Sequence, residues 1–247
     1  MPGQRQRPRP PDFLIIGAQR CGTASLFDAL MAHPRMVAPP RREIHYFDLR
    51  YWRGARWYRR QFERPADTFS GESSPYYLFH PQVPTRVAAD LPGVRIIVLL
   101  RDPIERAWSH HQLNLQTGRE TLPFLEALAA EADRMAGLPA PRWPRRRQPH
   151  RDYSYAARGH YRPQLDRWQA AVGPEAMLVL GSSELFERPA TAQARILDHI
   201  GLPDHPLPTP HRHRSAERLS PEIREAAAPF FVTDEPSLLS DYGVAFD

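Results

Sequence analysis

The sequence predicts an α/β fold in one domain, with a central parallel sheet flanked by layers of helices. Two stretches predict it: short apolar runs at residues 13–16 and 94–100 are each followed by a tight loop and then by apolar residues at helical spacing. The length of 247 residues and the hydrophobic content of 41% are enough for one substantial core. Strands that alternate with helices form parallel sheets covered on both faces.

The first strand is predicted at residues 13–16, a Phe-Leu-Ile-Ile run closed by Gly17. Residues 17–22, called the glycine loop below, lead into a predicted helix with apolar positions at Leu26, Phe27, Leu30 and Met31. Residues 1–11 are rich in Pro and Arg and offer nothing to bury, which predicts a disordered tail ahead of a folded domain over residues 12–247.

A second unit of the same kind begins at residues 94–100, the most strand-like segment of the chain. Asp102 can cap the helix that follows, with Pro103 in its first turn and Glu105 three residues after the cap. Its apolar stripe is formed by Ile104, Trp108 and Leu115. Because ligands bind at the carboxyl ends of parallel strands, the loops of both units are predicted to lie on one ligand-binding edge.

Three shorter segments complete the predicted sheet: residues 36–38, a strand that leads into residues 71–72, and residues 177–180. A helix is predicted to start at residues 182–184. Residues 137–151 turn to Pro, Arg and His without periodicity, which predicts an exposed loop.

The charge and composition of the chain indicate which ligands and which cellular environment to expect. The net charge is +5 and every basic residue is an arginine, which favours an anionic ligand. No helix-turn-helix, zinc-ligand or aromatic RNA-binding pattern points to nucleic acid. The single cysteine, Cys21, excludes an intramolecular disulfide framework. No apolar run reaches the roughly 18 to 20 residues that span a bilayer, and residues 1–11 do not resemble a signal peptide, so we expect a cytoplasmic protein without a membrane span.

The glycine loop and the helix start after it, residues 17–25, form a pattern that lets backbone N–H groups surround a phosphate. The glycine spacing is that of a nucleoside-triphosphate loop, but Thr23 stands where such a loop has its lysine. The cation is instead Arg20. This argues against a site that hydrolyses ATP or GTP.

Five motifs in chain order resemble those of the sulfotransferases that use 3'-phosphoadenosine-5'-phosphosulfate (PAPS), in particular the branch that modifies glycans. They lie at residues 17–25, 42–48 (Arg-Glu-Ile-His-Tyr-Phe-Asp), 71–77 (Gly-Glu-Ser-Ser-Pro-Tyr-Tyr), 101–109 (Arg-Asp-Pro-Ile-Glu-Arg-Ala-Trp-Ser) and 159–168. Together the resemblance covers residues 13–200. It implies a P-loop-like three-layer fold, PAPS as sulfuryl donor, adenosine 3',5'-bisphosphate (PAP) as product, and no metal.

The resemblance also implies roles for individual residues. Glu43 is the expected general base, Arg20 stabilises the leaving group, and His45 tunes Glu43 or assists as a second base. The expected contacts with the donor are Arg20, Cys21, Gly22, Thr23, Ala24, Ser25, Arg101, Ser109, Tyr161, Arg212 and Arg214. The acceptor is expected to be a hydroxyl or amine of a small molecule or glycan.

The residue types fit those roles. An arginine at a strand end can hold a phosphate with its bidentate fork, and Ser109 lies eight residues further along the helix. Two departures from the family stand out: Arg20 replaces a lysine and cannot readily donate a proton, and Ser73 replaces a second lysine that contacts acceptors. The basic run at residues 145–147 could bind an acidic acceptor or form a solvated surface.

Two rival functions stay open at this point. A small-molecule kinase would share the fold but needs a loop lysine and an acidic metal ligand, for which only Asp102 or Asp48 is available. A noncatalytic nucleotide-binding domain would keep the pocket but lack the chemistry, and the presence of Glu43 alongside Arg20, Arg101 and Ser109 argues against it.

Overall fold

The computed structural model describes residues 8–136, 148–211, 218–231 and 235–246. Its centre is a four-stranded parallel sheet in the order β2-β1-β3-β4. The strands are β1 (Phe13–Gly17), β2 (Gly71–Ser73), β3 (Arg95–Leu100) and β4 (Met177–Gly181). The predicted α/β fold with a central parallel sheet is therefore confirmed.

The burial of the two central strands explains why the chain folds this way. All of β1 and five of the six residues of β3 are buried, and Leu14 pairs with Ile96 in register. Apolar side chains on both faces of a strand require cover on both sides, which helices supply. The carboxyl ends of β1 and β3 consequently emerge side by side.

The sheet is flanked by helices. They are α1 (Thr23–Met31), α2 (Tyr46–Leu49), α3 (Ala55–Arg59), α4 (Val83–Asp90), α5 (Pro103–Gln116), α6 (Phe124–Ala129), α7 (Glu131–Met135), α8 (Pro149–Asp152), α9 (Tyr161–Val172), α10 (Ser182–Glu187), α11 (Pro189–Ile200), α12 (Pro221–Ala227) and α13 (Glu235–Tyr242). Short 3-10 helices lie at Tyr51–Arg53, Arg60–Phe62, Ala157–Gly159, Pro174–Ala176 and Ala228–Phe230.

The predicted cap of α5 is confirmed, and α9 shows how a helix packs on the sheet. The Asp102 side chain accepts a hydrogen bond of 2.7 Å from the Glu105 N–H and caps α5, as predicted. On α9, Tyr161 and Trp168 are wholly buried on the face toward the sheet, and the Trp168 indole donates to the Leu78 carbonyl at 3.3 Å.

Other predictions from the sequence are wrong. Residues 36–38 do not form a strand: Met36 makes one isolated bridge to Phe69, and Pro39 and Pro40, which have no N–H to donate, follow at once. Of the predicted loop at residues 137–151, residues 137–147 lie outside the described part, whereas residues 149–151 belong to α8 and are half-buried. Leu115, in the last turn of α5, is 39% exposed and lies off the predicted apolar stripe.

The start of the domain is only partly described. Pro11 is buried, and the Pro10 carbonyl accepts a bond of 3.0 Å from Arg64. Residues 1–7 of the predicted tail lie outside the described residues, so the tail and the domain boundary stay predictions. No helix among the described residues has the length and apolarity needed to cross a membrane.

Candidate active site

The two predicted anion-binding loops meet in the structure. Arg20 follows β1, Ser109 lies on α5 after β3, and the Arg20 Nε donates to the Ser109 Oγ at 3.0 Å. The carbonyl of Arg101, at the end of β3, accepts a bond of 2.8 Å from the Tyr161 hydroxyl. Arg20 and Arg101 are close enough for their charges to interact. The sequence predicted this proximity from the parallel order of the strands.

The glycine loop presents backbone donors at the start of α1. Gly22 has a φ of 92°, and a Cβ atom there would lie 2.8 Å from the Phe186 ring. Only glycine therefore fits. The helix geometry leaves the N–H groups of Thr23, Ala24 and Ser25 without intrahelical acceptors, so they are available to an anion.

The positive charges of Arg20 and Arg101 repel each other. Burial lowers the pKa of Arg20, and the neighbouring Arg101 lowers it further. Arg101 pairs with Glu105, which also accepts a bond of 3.3 Å from Arg224. An anion bound between Arg20 and Arg101 would relieve their mutual repulsion.

The predicted base belongs to a three-residue group. The His45 Nε2 lies 3.0 Å from the Glu43 Oε2, and its Nδ1 lies 2.7 Å from the Asp48 Oδ2. Burial opposes protonation of His45, but Asp48 and Glu43 outweigh it and raise the pKa of His45 to about 10. A histidine protonated at neutral pH cannot accept a proton, so His45 is suited to orienting Glu43 and not to acting as a second base.

A buried carboxyl group holds this segment in place. Glu72 is wholly buried; one of its oxygens accepts from Tyr58 at 2.7 Å and Tyr77 at 3.0 Å, the other from the Ile44 N–H at 3.1 Å. Burial raises the pKa of Glu72 although these bonds favour its charged form. His45 takes a left-handed backbone conformation, with a φ of 53°, in the middle of this network.

The Glu43 segment is joined to the glycine loop by a short chain of hydrogen bonds. The Ser73 N–H donates to the Arg42 carbonyl at 3.0 Å, and the Ser73 Oγ donates to the Thr23 carbonyl at 3.4 Å. Glu43, next to Arg42, is 43% exposed at its side chain and is thus accessible to a substrate.

Several predicted donor contacts have other observed roles. The side chain of Cys21 is buried in the core, burial raises its pKa to about 11, and its N–H donates to the Ala18 carbonyl. Tyr161 is wholly buried behind Arg101, so it positions the strand end, and its contact with the donor stays a prediction. The Ser25 Oγ donates to the His211 carbonyl at 2.6 Å. Arg212 and Arg214, like the basic run at 145–147, lie outside the described residues.

The sequence did not predict the contacts of three residues near the site, which are Asp48, Arg158 and Gln19. Asp48 holds His45, Arg158 donates to the side-chain oxygen of Gln19, and Arg158 is only 3% exposed. Asp48 could have been found from its spacing of three residues from His45. The contact between Arg158 and Gln19 joins positions 139 residues apart and leaves no local signal. Within the described ranges, no group of three or more His, Cys, Asp or Glu side chains is arranged to hold a metal ion.

Solved structures share the overall fold of this chain. A sulfotransferase from Alicyclobacillus acidocaldarius superposes with a TM-score of 0.78 at 28% identity, over 94% of this chain and 95% of that one. A mouse sulfotransferase complexed with PAP is 13% identical and has a TM-score of 0.51 over 80% of this chain and 61% of that one, which shows a shared fold only.

Comparison of sequences identifies the family. Human heparan sulfate glucosamine 3-O-sulfotransferase 3B1 is 31% identical over 193 residues, which are 78% of this chain and 46% of that protein. The chain thus spans about half the length of the curated relatives it matches. A family model described as a sulfotransferase domain matches residues 10–222. The chain therefore belongs to the sulfotransferase domain family, and the family assignment made from its five motifs is confirmed.

Proposed function

We propose that this chain transfers the sulfuryl group of PAPS to a hydroxyl or amine of a glycan, with Glu43 as general base. The proposal is supported by two groups whose segments are joined through the hydrogen bonds of Ser73: Arg20 with Ser109 beside the start of α1, and Glu43 with His45 and Asp48. One group can bind an anionic donor and the other can deprotonate an acceptor.

The residues present fit a donor with an anion at each end. The first-turn N–H groups of α1 and the side chain of Arg20 suit a 5'-phosphosulfate, because a helix N-terminus and a guanidinium both favour anions. Arg101 and Ser109, across the sheet edge, suit a 3'-phosphate. PAPS supplies the sulfuryl group, whose bond to the 5'-phosphate oxygen breaks as a bond to the acceptor forms. Arg20 lies where it can stabilise the charge left on the phosphate oxygen.

Glu43 suits the proton transfer because it is accessible and oriented. The acceptor gives its proton to the free carboxylate oxygen while the other oxygen is held by His45 at 3.0 Å. The buried Asp48 keeps His45 charged and fixed, and His45 in turn holds one carboxylate oxygen of Glu43 in place.

A glycan acceptor is supported by the relatives, which are named for glucosamine residues of heparan sulfate. Ser73, buried in the site where a lysine was expected, cannot offer a cation to such a chain. We therefore expect the acceptor preference to differ in detail from that of those relatives.

The donor is tested by thermal unfolding in the presence of PAP, ATP with magnesium, or AMP. We expect PAP to raise Tm by several kelvin and the other two to act weakly; a larger shift with ATP and magnesium would favour a kinase and overturn the proposal. Transfer is then tested with radiolabelled PAPS and heparan sulfate, with the Glu43→Gln variant as the inactive control.

A further inference from the structure

Arg158 is a buried cation with neutral partners. It lies on the 3-10 helix before α9, is 3% exposed, and donates to the Ser154 Oγ at 2.8 Å and the Arg151 carbonyl at 2.6 Å. Its guanidinium carbon lies 4.8 Å from the centre of the Tyr76 ring. In the described part of the chain no carboxylate lies within salt-bridge distance of it, and burial lowers the pKa of Arg158 to about 9. The third partner is the side chain of Gln19 in the glycine loop.

The contact between Arg158 and Gln19 determines how the Gln19 amide faces. A guanidinium has only donors, so the atom of Gln19 that faces Arg158 has to be the carbonyl oxygen. The two N–H donors of the amide then point away from Arg158. Gln19 is half-buried, and its amide nitrogen makes no hydrogen bond to the described residues.

The pair belongs to the immediate surroundings of the glycine loop. Gln19 directly precedes Arg20. The charges of Arg158 and Asp48 both act on Tyr76, whose pKa burial raises above its ordinary value. Arg158 thus contacts the glycine loop through Gln19 and lies against the ring of Tyr76, which in turn is close enough to Asp48 for that charge to act on it.

We propose that Gln19 is a further catalytic residue, whose amide N–H groups donate to an oxygen of the transferring sulfuryl group, and that Arg158 is the positioning residue that turns them toward it. The inference rests on the proposed function, because it requires PAPS as donor. A neutral amide donor can stabilise the sulfuryl oxygens without adding another charge beside Arg20 and Arg101. The buried charge of Arg158 polarises the Gln19 amide and makes it a better donor.

The test compares the affinities of PAPS and PAP by calorimetry, because PAP lacks the sulfuryl group. Gln19→Glu keeps an oxygen for Arg158 but replaces the N–H donors with a negative charge. We expect the variant to keep or raise the wild-type Tm, and to lose about tenfold or more in affinity for PAPS relative to PAP. Gln61→Glu, a change on the 3-10 helix Arg60–Phe62, is the matched control and should leave that ratio unchanged.

If Gln19 has a purely structural role, Gln19→Glu should change the affinities for PAPS and PAP equally or change neither. That result would overturn the inference. Gln19→Met replaces Gln19→Glu if the latter does not fold, with the same expected loss of preference for PAPS. Arg158→Lys should also lower the ratio of PAPS affinity to PAP affinity. In the double variant, the effects of Gln19→Met and Arg158→Lys on this ratio should be less than additive. If the wild-type chain binds neither PAPS nor PAP, the proposed function itself fails.

Discussion

Replacing Glu43 with Gln removes the proposed base and very little else. The side chain is 43% exposed, and its described contact is the bond of 3.0 Å to His45, which the glutamine oxygen can still accept. We therefore expect the free energy of unfolding to change by less than about 0.5 kcal/mol. Loss of a general base should lower kcat by roughly 10² to 10⁴, because the acceptor proton then has no carboxylate to receive it.

The assay for this variant measures transfer of radiolabelled sulfuryl groups from PAPS to heparan sulfate, with PAP affinity measured in parallel. Glu63→Gln, an exposed carboxylate changed in the same way, is the control and should keep wild-type turnover. The reasoning is refuted if Glu43→Gln turns over within a few-fold of the wild type, or if PAP affinity falls as far as kcat does.

Three further predictions concern two carboxylates, Asp48 and Glu120, and one backbone position, Gly22. Asp48→Asn should bring the pKa of His45 down from about 10 toward or below its ordinary 6.5 and lower turnover; an unchanged His45 titration by NMR would contradict this. Burial opposes the charge of Glu120, but Arg134 and two backbone N–H groups lower its pKa to about 2. Glu120→Gln should therefore destabilise the fold at neutral pH, and the gap in unfolding free energy should close as pH falls from about 4.5 toward 2; a gap independent of pH would exclude this linkage. Gly22→Ala should cost about 1 to 2 kcal/mol and weaken PAP binding, because its φ of 92° is unfavourable for a side chain; an unaltered Tm and Kd would show that the loop adapts.

The sheet and the helix starts could be predicted because their signals are local. The apolar run before Gly17 and the Asp102 cap depend only on neighbouring residues, and both appear in the structure. The strand predicted at residues 36–38 was wrong because a strand also needs a partner to pair with. A short apolar run does not show which partner strand is available. Pairing is a property of the whole fold.

The site was predicted less completely because its residues act through contacts distant in sequence. The proximity of Arg20 and Ser109 followed from strand order, but the bond between Gln19 and Arg158 depends on how the 3-10 helix Ala157–Gly159 packs against α5. The burial of Cys21 also could not be read from the loop motif, since consecutive residues of a turn face opposite sides.

We expect one nucleotide to bridge the glycine loop and Arg101. The most direct measurement is calorimetric titration of the wild-type chain and the Arg101→Ala variant with PAP and with AMP, which lacks the 3'-phosphate. We predict that the wild type prefers PAP by at least tenfold and that Arg101→Ala loses this preference while its weak affinity for AMP is unchanged. Equal preference for PAP in both proteins would show that Arg101 does not bind the 3'-phosphate.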